Sequence, residues 1–502
     1  MMTVRAAVGR SAALARHVMG AATPLVAARL ASALLTFGLP LVLARVMTPA
    51  GYGSYKQFFL VGLTVLYVMQ LGISQSLYYF LPRKDDAARA AFLPQSSITL
   101  AGIGVVSGAI LYALAPHIGG LVGDGTLITL RVPLACYAML MLASSPLEPA
   151  LTSSGRITGS AICLVVTDAV RALALVVAAT RFPGAALFWA AVMVAALRVV
   201  ALWTLMLARI LPAARPTVAS WRRQLAYALP FGGAMVLYIA QRYCSQYVVA
   251  SRFDTATFAL FTVAAFHMPI LTIVFTSASE VLMVRMGQSM PIDRRQTLRE
   301  WQDTVGKLAT VLFPVAVGSW LVGGAFIPIL FTDRYAAAIP LFVLTTCEIP
   351  VWIYPCDALL RTANDTRFMF WFNGIRVIMT ISLVLVGIRL FALGGAIIGA
   401  VASETIARVV FLARGRHFIG ASWREILHAD AVARTALVCV GAYLPARAAG
   451  MISDGFGGRV VLPAMVFAVC YLSIFARWTR RFGGTRAPAD LTTAAADAPR
   501  WH

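Results

Sequence analysis

Five arginines lie inside stretches otherwise too apolar to carry charge: Arg29, Arg171, Arg198, Arg242 and Arg376. A charged side chain at bilayer depth costs roughly 3 kcal/mol on insertion scales, so it faces a partner or a water-filled cavity. Guanidinium pairs bidentately with phosphate oxygens. A cleft lined by these side chains therefore suits a phosphate-bearing ligand, and Arg242 and Arg376 carry that reading furthest. Structural readings stand beside it. Asp168 and Arg171 are spaced i, i+3, and Glu404 and Arg408 i, i+4, so each pair can neutralise itself along one helix. Arg29 and Arg408 lie near enough to span ends to snorkel. Arg198 has no partner in its own span and can instead meet a carboxylate from another.

Two stretches carry polar faces at three-to-four spacing. One holds Tyr238, Gln241, Arg242, Ser245 and Gln246; the other holds Tyr67, Gln70, Ser74, Gln75 and Tyr78. Such faces either line an aqueous cavity or hydrogen-bond helix to helix within a bundle. The apolar-span carboxylates are Glu148, Asp168, Glu280, Glu348, Asp357 and Glu404. Burial raises a carboxyl pKa and lets such a group exchange protons near neutrality. Glu280 and Asp357 are the candidates for holding a coupling ion, with a structural pair as the competing reading.

Other chemistries find no support. There is no GxxxxGK[ST] run to cradle nucleotide phosphates and no HExxH; the six histidines are scattered. No cofactor or metal is expected. The seven cysteines, Cys136, Cys163, Cys244, Cys347, Cys356, Cys439 and Cys470, form no CxxC and read as small buried hydrophobes.

The elements that must position these residues follow from composition. The chain has 502 residues, 60% of them hydrophobic and 12% charged, and a mean hydropathy of +0.81. Soluble domains carry about twice that charged fraction. About fourteen stretches are long enough to cross a bilayer, near 22–46, 55–81, 93–115, 127–149, 158–180, 184–208, 224–250, 257–284, 304–331, 336–360, 368–388, 391–413, 431–446 and 459–476. The expected fold is therefore an all-α polytopic membrane protein. The net charge of +22 sits mostly in the gaps between spans, which argues against nucleic acid as a partner. With the N-terminus in the cytoplasm, the inner gaps 82–92, 150–157, 209–223, 285–303, 361–367 and 414–430, with both tails, hold about 25 Lys and Arg against about five or six outside. Both termini are then cytoplasmic. Arg5, Arg10 and Arg16 precede a full-length span, which reads as a tail rather than a cleaved signal. The segment 480–502, rich in Ala, Pro, Thr and Asp, reads as disordered.

The chain also looks duplicated. Ala44–Tyr55 and Ala250–Phe261 each put a polar turn before an aromatic-bearing helix start, and Thr152–Arg156 and Thr362–Arg367 each separate a fourth from a fifth span. The expected organisation is a tail (1–21), a six-helix bundle (22–208), a linker (209–223), a second six-helix bundle (224–413), a loop (414–430), an extra helix pair (431–479) and a tail (480–502). Two pseudo-symmetric bundles suit alternating access, with a ligand held between them. Pro133, Pro146, Pro230, Pro269, Pro314, Pro340, Pro350 and Pro355 fall inside spans and kink them, as hinges or as static shape. Gly395 and Gly399 form a GxxxG close-approach motif.

The run Leu43–Tyr55, with Leu71-Gly72-Ile73 and Tyr78-Tyr79-Phe80, resembles the opening of Wzx-type polysaccharide flippases of the multidrug/oligosaccharidyl-lipid/polysaccharide exporter superfamily. Ile327–Tyr335 resembles the turn between that family's ninth and tenth helices, and Leu393–Ala400 its Gly/Ala-rich twelfth helix. The resemblance covers roughly 22–415. It implies a flippase of the bacterial inner membrane for polyprenyl-pyrophosphate-linked oligosaccharide, serving exopolysaccharide, O-antigen or capsule biosynthesis, with membrane lipid around it and polysaccharide polymerases as partners. It also implies that the first and seventh helices border a central cavity, with the second and eighth beside them. Arg29, Arg171, Arg198, Arg242 and Arg376 would then meet the pyrophosphate, and Tyr238, Gln241, Gln75 and Tyr78 the sugar rings and hydroxyls. Alternatives are a peptidoglycan lipid-precursor flippase, a small-molecule antiporter of the same superfamily and, from another class, a membrane-embedded polymerase or ligase. The excess of buried Arg over carboxylate argues against cationic drugs. Outer gaps of about ten residues or fewer leave no lid for an enzyme, so no catalytic residue is expected.

Overall fold

The computed structural model describes residues 28–83, 89–121, 125–182, 184–208, 210–211, 214–266, 269–290, 293–451 and 457–482. The expected tail 1–21, and the tail 480–502 from 483 on, lie outside them. Among the described residues there is no strand. The helices of the first expected half are α1 (Ala28–Val46), α2 (Pro49–Met69), α3 (Ile73–Phe80), α4 (Phe92–Leu121), α5 (Thr126–Thr129), α6 (Arg131–Ser144), α7 (Leu147–Ser153), α8 (Ile157–Arg181) and α9 (Ala186–Leu207). Then come α10 (Val218–Ala250), α11 (Thr255–Ala264), α12 (Pro269–Ser289), α13 (Arg294–Phe331), α14 (Ile339–Thr346), α15 (Cys356–Thr362) and α16 (Thr366–Ile419). A single turn, α17 (Trp423–Ile426), leads to α18 (Ala429–Ala449) and α19 (Leu462–Phe482).

The expected spans fall mainly on helix among the described residues. Among the described residues, eight helical segments are long and apolar enough to cross a membrane, or nine with α2 and α3 taken as one bent span. Part of the shortfall from fourteen has local causes. The expected spans 368–388 and 391–413 are one 54-residue run, α16, which doubles back at Phe391 (φ −136°) and Ala392 (φ 49°). The expected span 257–284 is broken between α11 and α12. The α10 span carries its polar face, which lowers its hydropathy. Large apolar side chains stand outward on these helices: Leu34 and Met193 are each 71% exposed, and Ile378 is 68% exposed. Water would not tolerate such a surface over a whole chain; acyl chains solvate it.

Local chemistry sets the breaks. Thr48 accepts from the Gly51 amide at 3.2 Å and Pro49 follows, so α2 starts there. Leu71 (φ 49°) and Gly72 (φ 73°) then bend α3 from α2 by 48°. A Cβ on Gly72 would lie 2.6 Å from the Ala228 carbonyl, so only glycine allows α10 this close. In the α16 hairpin a Cβ on Gly395 would stand 1.8 Å from the Gly387 carbonyl, and one on Gly399 2.5 Å from that of Leu383. The GxxxG spacing thus serves close packing of the two arms. Of the cysteines, Cys244, Cys356 and Cys439 are buried, whereas Cys347 is exposed.

The chain divides into two compact units. The first runs to Pro269 and adds Pro328–Phe342 and Asp365–Ala407; the second holds Ile270–Ile327, Val343–Asn364 and the chain from Arg408. The first therefore contains α1 to α11 and most of the α16 hairpin. One of its cores packs Leu77, Phe80, Phe92, Leu93, Leu147, Leu151 and Leu202 from α3, α4, α7 and α9. In the second unit α13, α18 and α19 share a core of Val317, Val438, Cys439, Ala442, Ala446, Phe467 and Tyr471. Tyr471 there donates to the Thr310 carbonyl at 2.9 Å, and fully buried Trp301 donates to the Ile426 carbonyl at 2.8 Å.

Two junctions inside the first unit join helices of the expected halves. At one, Arg45 donates to the Ile329 and Leu330 carbonyls at the end of α13, while Arg334 donates to the Met47 carbonyl at 3.4 Å. Tyr52 meets Tyr335 edge-on at 6.0 Å, and a Cβ on Gly53 would overlap the Thr255 carbonyl at 1.9 Å. At the other, Gln95, Gln224, Ser76, Ser96 and Ser220 bond one another across α3, α4 and α10 at 2.6–2.8 Å. All five are at least 96% buried, so each amide must find its partners within the protein.

Candidate functional site: guanidiniums inside the first unit

Every proposed ligand-binding residue lies in the first unit. On α1, Arg29, Ser32 and Thr36 share one helical face. Facing them, Asp168 of α8 accepts a short hydrogen bond from the Ser32 hydroxyl and holds Arg171 at 3.2 Å. Arg171 also donates to Thr36 Oγ1 at 3.2 Å. Asp168 is 9% exposed, and an unpaired carboxylate there would be strongly unfavourable. The i, i+3 pair therefore forms, but it is tied to α1 as well. Arg29 lies 3.9 Å from Glu148, with side chains 58% and 37% exposed, a loose contact. On α9, Arg198 has a buried Nε with no hydrogen-bond partner among the described residues.

A second centre joins α10 to the α16 hairpin. Arg376 on the first arm makes a short charged hydrogen bond to Glu404 on the second, at 17% and 16% side-chain exposure. Gln241 of α10, with its carbonyl turned toward the guanidinium, accepts from Arg376 Nε at 2.9 Å and Nη2 at 3.2 Å. One turn along the hairpin, Thr380 and Ser403 bond at 2.6 Å. Arg242 points the other way: it is exposed and donates to Tyr238 Oη at 3.3 Å. Tyr238 is itself 52% exposed.

The two centres are built alike, at similar offsets along the chain. Ser32 and Gln241, Arg171 and Arg376, and Arg198 and Glu404 lie 209, 205 and 206 residues apart. In each half a guanidinium one span before the last reaches back to the opening helix of that half.

The sequence profile described as polysaccharide biosynthesis protein matches residues 42–340. The chain belongs to that family. No curated protein matches the sequence. Among solved structures, the lipid II flippase MurJ in an inward closed conformation aligns with a TM-score of 0.72 at 13% identity, over 91% of this chain and 99% of its own. An inward-facing multidrug resistance MATE transporter of the MOP superfamily aligns with 0.58 at 15% identity, over 78% and 94%. A MOP superfamily transporter from Pyrococcus furiosus gives 0.53 at 12%, over 80% and 94%. At these identities the likeness establishes the fold, which is that of MOP transporters.

In this polysaccharide biosynthesis protein the remaining expected residues are less engaged. Gln75 donates to Gln70 at 3.0 Å and keeps a buried carbonyl without a partner. Tyr78 is 43% exposed and stands in electrostatic reach of Glu148 and Arg29. The coupling-ion candidates Glu280 and Asp357 are both exposed and lie in the second unit; Asp357 sits in the first turn of short α15. Arg408 donates to the Tyr354 carbonyl at 2.6 Å. The residues the sequence reading passed over are Ser32 and Thr36. Their signal was present, because both share a face with Arg29 in an apolar helix, where hydroxyls pass easily for helix filler. Lys56 was also passed over; its ammonium lies 5.3 Å from the Tyr52 ring and 5.9 Å from that of Tyr55.

Proposed function

We propose that this protein is a flippase of the bacterial inner membrane that moves polyprenyl-pyrophosphate-linked oligosaccharide from the inner to the outer leaflet by alternating access. It would serve exopolysaccharide, O-antigen or capsule biosynthesis, catalyse no covalent step and hand its cargo to a polysaccharide polymerase. The observation that carries this reading is the surplus of cation in the first unit. Among the described residues, five guanidiniums inside apolar helices share three carboxylate partners, Glu148, Asp168 and Glu404. In this reading Asp168 and Glu404 hold Arg171 and Arg376 while the site is empty. The diphosphate brings more negative charge than either acid and takes over their N–H groups, while the lipid tail stays in the bilayer. Arg242 and Arg198 add charge that no acid has claimed. Tyr238 and Gln241 supply a ring face and an amide for sugar.

The test is export in cells. Arg242→Ala and Arg376→Ala are expected to abolish polymer export while the protein inserts at its normal level. Wild-type export from both would remove the assignment. Reconstitution with a labelled lipid-linked sugar and a leaflet-accessibility assay tests the movement itself.

A second reading, a peptidoglycan-precursor flippase, is favoured by the extent of the alignment with MurJ. Depletion separates the two. Failure to divide supports the precursor role, and loss of surface polysaccharide in dividing cells supports ours.

A further inference from the structure

Outside the central arginines, one junction combines cation, aromatic face and close helix packing. Where α3 ends, Tyr79 stacks on Tyr227 of α10, with centroids 4.4 Å apart and planes 17° from parallel. Arg83 lies over the other face of this stack, its guanidinium carbon 3.8 Å from the Tyr79 centroid. Beside it Phe80 stacks on Phe92 at 4.3 Å, and Arg223 lies 5.2 Å and 5.1 Å from those two rings. Tyr79 and Tyr227 are 37% and 45% exposed, and Arg83 is exposed. Directly beneath is the buried network of Gln95 and Gln224.

A guanidinium that lies flat on a ring directs its N–H edge outward, in the plane it uses to grip phosphate. Contact with the Tyr79 ring at 3.8 Å limits where the Arg83 fork can go, so less side-chain entropy is lost when an anion arrives. Once gripped there, the anion competes with the ring for Arg83, and as it draws the guanidinium off Tyr79 it loosens the Tyr79–Tyr227 contact that bridges α3 and α10.

We infer that Arg83 and Arg223, mounted on the Tyr79–Tyr227 and Phe80–Phe92 stacks, form a docking site for a lipid diphosphate headgroup, and that its binding releases the α3–α10 junction. This deepens the flippase reading and rests on it: the site is where the headgroup is first captured.

Nanodiscs carrying the full chain provide the test, with three probes: polyprenyl diphosphate, phosphatidylglycerol and inorganic pyrophosphate. For wild type, polyprenyl diphosphate is expected to bind most tightly and to raise amide exchange in 73–83 and 218–228. The pair Arg83→Ala/Arg223→Ala should weaken that binding about tenfold or more, the scale of a lost charge-assisted bond, and abolish the exchange response. Arg83→Lys/Arg223→Lys keeps the charge without the flat fork and should also lose the response. Binding unchanged in both pairs, but lost in Arg376→Ala, would overturn the docking site and leave the flippase reading intact. Wild-type binding no tighter to polyprenyl diphosphate than to phosphatidylglycerol would overturn both. Full rescue by the lysine pair, or equal capture of inorganic pyrophosphate, would reduce the cluster to plain surface charge.

Discussion

Arg171 and Arg376, 205 residues apart, make the same two contacts in their own halves. Each guanidinium reaches the opening helix of its half, Arg171 at Thr36 and Arg376 at Gln241, and each is held by a carboxylate, Asp168 or Glu404. The acids differ in where they come from. Asp168 stands one turn before Arg171 on the same helix, whereas Glu404 comes from the other arm of the α16 hairpin. At the position equivalent to Glu404 the first half has Arg198 instead. The two sites share a geometry and differ in charge, which leaves the Arg171 site the more cationic.

That asymmetry predicts different stability effects. Glu404→Gln strips Arg376 of its charge partner in a largely buried setting and is expected to cost about 3 kcal/mol or more. Arg376→Met/Glu404→Leu should recover most of that stability while export stays lost. Thermal unfolding in detergent, read beside polymer export, checks both.

The hairpin predicts a steric limit. Gly395→Ala places a methyl 1.8 Å from the Gly387 carbonyl, so the arms must part and the protein should lose about 2 kcal/mol or more. Gly374→Ala is the control on the same helix, with nothing within 4 Å of its Cβ, and should be neutral or slightly stabilising. Melting temperatures of the two variants decide it.

The Arg45–Arg334 exchange predicts a change in accessibility. Arg45→Ala uncovers the last carbonyls of α13 and should let that junction open. In a Cys347→Ser background, Ala338→Cys places a thiol at a fully buried position. Its labelling by a polar maleimide in permeabilised membranes is expected to rise several-fold when Arg45→Ala is added. Unchanged labelling would show that the exchange does not hold the junction.

The segment before α18 predicts a pH response in two windows. Burial, and next Arg434, lower the His428 pKa from 6.5, so the folded protein favours neutral His. Its contribution is complete above pH 6.5 and is lost as pH falls through the lowered folded value. Donation from Ser422, hydroxyl first and then backbone, lowers the Glu425 pKa from 4.5. That contribution is present above pH 4.5 and fades as pH falls through its folded value. His428 sits at φ 47°, which Asn tolerates. Amide exchange in 422–432 should therefore rise for wild type as pH falls below 6.5, after correction for intrinsic rates. For His428→Asn it should stay flat until the Glu425 window.

Much of this was legible in the chain. Apolar length fixed the solvent and the helical class, because a bilayer leaves helices and closed barrels as the only spanning solutions, and here the stretches are of helix length. The GxxxG glycines were readable from their spacing. The candidate residues were legible as residue types: an arginine in an apolar span announces a cavity or a partner, whatever the fold. Periodicity also marked the Asp168–Arg171 pair, since neighbours at i+3 meet on any helix.

What only the tertiary structure decided was the partner each charge takes across helices. Arg376 meets Glu404 because the chain turns at Phe391–Ala392, midway between them, and glycine lets the arms close in that register. Arg171 meets Thr36, and Gln241 meets Arg376, because separate helices pack with those faces together. Spacing along a chain specifies a face but not what that face will touch. That choice belongs to packing, which settles it by satisfying the buried charges all at once.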